Sequence, residues 1–113
     1  MSRITTHILD TSLGKPAKGV RVTLSGNNGG RWSELGAGET NSDGRVSDLL
    51  ESDSSLPPGE YRLWFDTGSY YKDLGIEAFY PFVEIAFNIE GDGQHYHVPL
   101  LLNPFGYSTY RGS

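Results

Sequence analysis

The sequence predicts an all-β domain, an antiparallel sandwich of two sheets with about seven or eight short strands and one short helix. Three observations lead there. Apolar and polar residues alternate with period 2 over short runs. Gly, Pro, Asn and Asp punctuate those runs. One segment alone, SYYKDLGI at 69–76, has helical character, with Ser69 as its expected N-cap. At 113 residues, 1–113 is a single domain of common size. Such a chain buries roughly 65% of its unfolded surface, enough for one core.

The strands follow in order. In ITTHILD at 4–10, Ile4, Thr6 and Ile8 share one side, and Thr5, His7 and Leu9 the other. At 20–25, Val20, Val22 and Leu24 point together. A weaker strand surrounds Trp32 at 31–36. At 60–66, Tyr61, Leu63 and Phe65 face inward, and at 83–89 Val83, Ile85, Phe87 and Ile89 align. At 95–102 the row is Tyr96, Val98, Leu100 and Leu102, and a last strand covers about 106–111. Lys15-Pro16, the glycine-rich run 26–30 and Ser42-Asp43-Gly44 read as turns. The prolines of SDSSLPPG at 52–59 demand a loop.

Composition excludes several function classes. A net charge of −5 without a basic stripe disfavours nucleic acid and anionic membranes as partners. With no cysteine there are no disulfides, thiol nucleophiles or thiolate zinc sites. The start, MSRITTHILD, lacks an apolar stretch of signal-peptide length, and no segment approaches the roughly 20 apolar residues of a membrane helix. A cytoplasmic protein is the expectation.

Chemistry concentrates on three histidines, His7, His95 and His97. By parity His97 shares a face with His95, Pro99 and Leu101, and His7 lies opposite Ile4, Thr6 and Ile8. If the apolar rows face the core, both imidazoles leave the outer face of a sheet. If their strands are neighbours, they project side by side. An exposed strand histidine is by default a surface residue, but a converging pair suits activation of water, because imidazole titrates near neutral pH. A third ligand for a metal ion is not evident. Arg45, at the end of the Asp43-Gly44 turn, is either a solvated loop cation or a planar fork for a polar substrate.

The chain ends YSTYRGS, residues 107–113. Holding a terminus costs roughly 1–2 kcal/mol of backbone entropy per residue. Two tyrosine bodies return about 1.5–3 kcal/mol each when buried. The expectation is therefore that this tail docks against further protein.

Three segments carry a resemblance: THILDTSLGKPAKGV at 6–20, SDGRV at 42–46 and HYHVPLLLNPFGYSTYRGS at 95–113. With them the whole chain resembles the 5-hydroxyisourate hydrolases of the transthyretin-like family. The terminal Tyr-Arg-Gly-Ser discriminates most, since transthyretins that carry thyroid hormone lack it and lack these histidines. The resemblance implies a transthyretin-like sandwich assembled as a homotetramer, with sites in a channel at the dimer–dimer interface. It implies a neighbouring subunit packed over the tail. It places the catalytic histidines on His7 and His97 and the substrate-binding arginine on Arg45. The terminal motif falls on Tyr110, Arg111, Gly112 and Ser113, with Tyr110 and Ser113 giving hydrogen bonds to substrate or water. His95 supports the site or is merely surface.

The implied reaction opens the six-membered ring of 5-hydroxyisourate at an amide bond, giving 2-oxo-4-hydroxy-4-carboxy-5-ureidoimidazoline. No metal or cofactor is demanded, because that carbonyl is already electrophilic. Attack by Ser113 itself is disfavoured by the adjacent carboxylate and by the lack of a nucleophile elbow. A non-enzymatic carrier of small ligands and a monomeric interaction module are the rival readings. A polar channel bearing histidines suits neither an apolar hormone nor a featureless module.

Overall fold

A computed structural model of the chain describes residues 4–50, 56–91 and 93–112. Along them run β1 (Ile4–Asp10), β2 (Lys15–Pro16), β3 (Arg21–Asn28), β4 (Arg31–Glu39) and β5 (Arg45–Val46). Then come β6 (Gly59–Phe65), helix α1 (Thr67–Asp73), β7 (Val83–Ile89), β8 (Tyr96–Asn103) and β9 (Gly106–Thr109). One sheet has the order β2-β1-β8-β9, and β5 shares with β2 the free side of β1. The other has the order β4-β3-β6-β7.

Alternation places the core between the sheets. Ile4, Thr6 and Ile8 of β1 and Tyr96, Val98, Leu100 and Leu102 of β8 are buried from one side. Val22, Leu24, Tyr61, Leu63, Phe65, Val83 and Ile89 meet them from the other. Ile85 and Phe87 point the same way but are only partly covered, at the edge where β7 ends its sheet. Each large apolar side chain so buried contributes about 1.5–3 kcal/mol. Thr6 is tolerated in that row because its hydroxyl donates to the Val98 carbonyl at 2.6 Å.

One pairing departs from the antiparallel expectation. β1 and β8, at the centre of their sheet, run parallel, from Ile4↔Tyr96 to Asp10↔Leu102. The chain visits the second sheet between them, so no hairpin dictates their direction, and the alternation pattern is the same for either. Several boundaries also shift. Lys15-Pro16 pairs with Leu9 and Asp10 and the turn lies before it. β3 continues through Asn28, which pairs with Arg31 around a two-residue turn of Gly29 (φ 61) and Gly30 (φ 91). β4 extends to Glu39 and β9 stops at Thr109. The helix begins earlier than expected because Asp66, directly after β6, is its N-cap and accepts from the Ser69 N–H at 3.2 Å.

Asp10 ties this fold together. It is fully buried and accepts from the N–H of Ser12 (3.0 Å) and Leu13 (3.3 Å) and from the Tyr70 hydroxyl of α1 (2.8 Å). A buried carboxylate is affordable with that many donors. The end of β1 is thereby pinned, and with it the residues that precede Asp10.

Candidate active site

Register determines which side chains meet outside the first sheet. In β1, His7 lies across from Arg45 of β5, and Thr5 lies across from His97 of β8. Residues opposite one another in a sheet project to the same face. His7, Arg45, Thr5 and His97 therefore share the outer face, spread over three adjacent strands. His95 belongs to the same row, its ring stacked on that of His97 at 6.4 Å and 19°. The two histidine-bearing strands are neighbours, as side-by-side projection of the imidazoles requires.

Arg45 reaches this face through a built turn. The Asn41 side chain accepts from the N–H of Asp43 (2.9 Å) and of Arg45 (3.1 Å). Gly44 adopts φ 73 and donates to the Asn41 carbonyl at 2.9 Å, while its own carbonyl accepts from the Ile8 N–H at 2.8 Å. A Cβ on Gly44 would lie 2.4 Å from the Ile8 carbonyl oxygen, so both the conformation and the space require glycine.

Both site histidines are half-buried and both are held below their ordinary value of 6.5. For His7 the larger cause is burial, followed by the Arg45 charge; hydrogen bonding to the Asp43 backbone opposes them. For His97 burial again leads, followed by Arg45, then His95 and His7, with the Thr5 backbone opposing. One guanidinium acts on both rings. At neutral pH each imidazole keeps a free lone pair, the form a general base needs.

Thr5, singled out by no sequence signal beyond its parity with His7, sits between two rings. Its Oγ1 lies 2.8 Å from His97 Nδ1 and 2.9 Å from His95 Nε2. His95 is thus joined to the site through a hydroxyl. A cavity of about 390 Å³ opens here, lined by Thr5, Thr6, Arg45, Ser47, His95 and His97. That is room for a small polar ligand. Among the described residues no three metal-ligating side chains converge.

Within its own chain the tail is held by backbone pairing. β9 pairs with β8 from Asn103↔Gly106 to Leu100↔Thr109, and the Thr109 hydroxyl donates to the Pro99 carbonyl at 2.7 Å. Gly112 then bridges back, its N–H donating to the His97 carbonyl at 2.8 Å. Gly112 lies against the imidazole: a Cβ there would be 2.6 Å from His97 Cδ2. Arg111 turns away from the histidine face. Its guanidinium lies 4.6 Å from the centre of the Tyr96 ring and donates to Gln94 Oε1 at 2.8 Å. Arg111 and Tyr110 line a second concavity, about 320 Å³, between β7 and the β8–β9 edge. It is mostly apolar; His97 lines it as well as the first cavity, Arg45 lines only the first, and His7 lines neither. Ser113 lies outside the described residues.

The chain is 49% identical over 114 residues to the 5-hydroxyisourate hydrolase of Mus musculus, covering 99% of this chain and 96% of the relative. It is 44% identical to that of Salmonella typhimurium, covering 97% and 80%. The Klebsiella pneumoniae 5-hydroxyisourate hydrolase structure superposes with a TM-score of 0.84 at 41% identity, over 97% of this chain and 98% of that one. Sea bream transthyretin in complex with thyroxine gives 0.91 at 32% identity, over 97% and 94%. Backbone shape alone therefore does not separate a hydrolase from a thyroxine binder. The HIUase/Transthyretin family model matches residues 4–112, and the chain belongs to that family.

Proposed function

We propose that this chain hydrolyses 5-hydroxyisourate, opening its six-membered ring at an amide bond. The observation that carries the reading is the meeting of His7, Arg45 and His97 on one outer sheet face, with both imidazoles held neutral. A neutral imidazole takes a proton from water, and the hydroxide adds to the ring carbonyl. The Arg45 guanidinium orients the flat substrate and holds the charge that develops on the carbonyl oxygen. The imidazolium returns its proton to the leaving ring nitrogen as the carbon–nitrogen bond breaks. A carboxylate and a ureido group result, and no redox partner is needed.

Gly112 brings the terminal peptide against His97, so residues up to Gly112 form one wall of the site. Arg111 anchors that wall through Tyr96 and Gln94. The active form is a homotetramer in which the histidine faces of paired dimers close a channel. The open, solvent-facing cavity on a single chain supports this, since a nucleophilic water is controlled only where bulk solvent is excluded. A native mass equal to one chain would refute the assembly.

The test adds freshly generated 5-hydroxyisourate and follows its ultraviolet decay. Wild-type protein should accelerate the decay, and His7→Ala or His97→Ala should remove about 10²–10⁴ of that rate with the fold retained. Unaltered decay with wild-type protein would favour the carrier reading, to which the transthyretin likeness points.

A further inference from the structure

We propose that Thr5 is a positioning residue that fixes the tautomer of His97, and that His95 acts on His97 through it. The inference rests on the hydrolase reading for its kinetic consequence and on the hydrogen-bond geometry for everything else.

The argument is a proton count. Thr5 Oγ1 is within hydrogen-bond distance of His97 Nδ1 (2.8 Å) and His95 Nε2 (2.9 Å). A hydroxyl has a single proton. If it donates to one ring it can only accept from the other, so one of the two nitrogens must carry a hydrogen. Two arrangements use the hydroxyl proton within the trio, and in a third both rings donate to Thr5, which again leaves the lone pair on His97 Nε2. In the first, His97 Nδ1–H donates to Thr5, and Thr5 donates to His95 Nε2. The remaining nitrogen of His97, Nε2, then presents a lone pair. In the second the direction reverses, His97 Nε2 carries the hydrogen, and that ring has no lone pair away from Thr5.

A further feature favours a hydrogen on His97 Nδ1, the nitrogen that faces Thr5. The Thr5 backbone carbonyl also lies against the His97 ring and favours its protonated form. A carbonyl only accepts, so it draws an N–H to the Thr5 side of the ring. Free imidazole tautomers interconvert readily. Here the base-competent form is held in advance of substrate, as the orienting partner of a catalytic histidine does in other hydrolases.

The arrangement also gives the abstracted proton a second place to rest. When His97 Nε2 takes a proton from water, its Nδ1 proton can pass to Thr5 while the Thr5 proton passes to His95 Nε2. The hydroxyl is regenerated and the positive charge moves from half-buried His97 to exposed His95. The reverse hop restores it before the leaving nitrogen is protonated. Proton and charge both balance, and no outside reagent enters.

Thr5→Val keeps the shape and the strand preference but removes the hydroxyl. Its kcat should fall by about tenfold to a hundredfold with KM within about twofold, because orientation of the base is lost and substrate contacts are not. Thr5→Ser should recover most of the rate. Nitrogen-15 spectra of the histidines, taken on wild-type protein without substrate, should show His97 protonated at Nδ1. In Thr5→Val, and to a smaller extent in His95→Ala, the population should move toward Nε2–H. Wild-type protein with His97 protonated at Nε2 overturns the proposal, as does a folded Thr5→Val variant with unchanged kcat beside an active wild type. If wild-type protein leaves 5-hydroxyisourate untouched while Thr5→Val still moves the tautomer, the hydrolase reading fails and the hydrogen-bond assignment stands.

Discussion

Each sheet carries an arginine on its outer face, and the two are used differently. On the β4-β3-β6-β7 sheet, Arg62 lies 3.5 Å from Glu84 and stacks 4.4 Å from the centre of the Trp32 ring. Its charge is matched by a carboxylate and its plane by an indole, an arrangement that stabilises a surface by about 0.5–1 kcal/mol. On the β1–β8 sheet, Arg45 instead lies across from His7 and lowers both His7 and His97. A cation placed beside two imidazoles opposes their protonation and so keeps both in the basic form. The residue type is the same on both faces; the neighbours decide whether a guanidinium is structural or chemical.

The largest contrast should come from removing the two charges in parallel. Arg45→Met should lower kcat/KM by about 10²–10³, the usual loss of one preorganised group facing developing charge. Arg62→Met should leave it unchanged. A comparable loss in both variants would erase the distinction between the faces.

The pH profile sharpens the comparison. Protonation of either imidazole removes the base, so the acid limb of kcat/KM should have an apparent value below 6.5 that belongs to the coupled pair. Removing the Arg45 charge should move that limb up toward 6.5, with burial keeping it from arriving fully. Arg62→Met should not move it. The same lowering links folding to pH. Below 6.5 the unfolded chain takes up protons that the folded rings refuse. Stability should therefore be highest above 6.5 and fall as pH drops through the lowered folded-state values. Thermal melts across that range read it directly, and a rise in stability on acidification over it would contradict the assignment.

A smaller effect is expected at the tail. Gly112→Ala sets a methyl 2.6 Å from His97 Cδ2 and 3.2 Å from Pro99 Cγ. Relieving that contact should cost about 1–3 kcal/mol of tail docking and lower the rate roughly tenfold by tilting the ring or freeing the terminus. Full activity in this variant would mean that the terminal peptide does not define the His97 position. The smallest effect should be Arg62→Ala, a loss of about 1 kcal/mol or less in a melt and none in the decay assay.

The inward rows were readable because one buried face imposes period 2 on every strand, and that parity also put His7 and His97 outside. Motif likeness supplied Arg45. Thr5 escaped notice because a threonine in a strand is ordinary, and its partner ring lies 92 positions away along the chain. Asn41 escaped because the turn motif was read from Ser42 onward. The last strand is legible in the alternation near 106–111, but its partner β8 is not, because pairing within a sheet leaves no mark on either segment alone.

What the sequence determined by itself is the sandwich, the inward and outward rows, and the kinds of side chain available for chemistry. Alternation and turn residues act over a few neighbours and need no partner to be read. Only the tertiary structure decided that β1 and β8 lie side by side in parallel and that β5 flanks β1 across from His7. Only it decided that a single hydroxyl joins two imidazoles. Those choices follow from which apolar faces can be buried together across the whole chain. Backbone pairing between distant segments leaves no local trace in either of them.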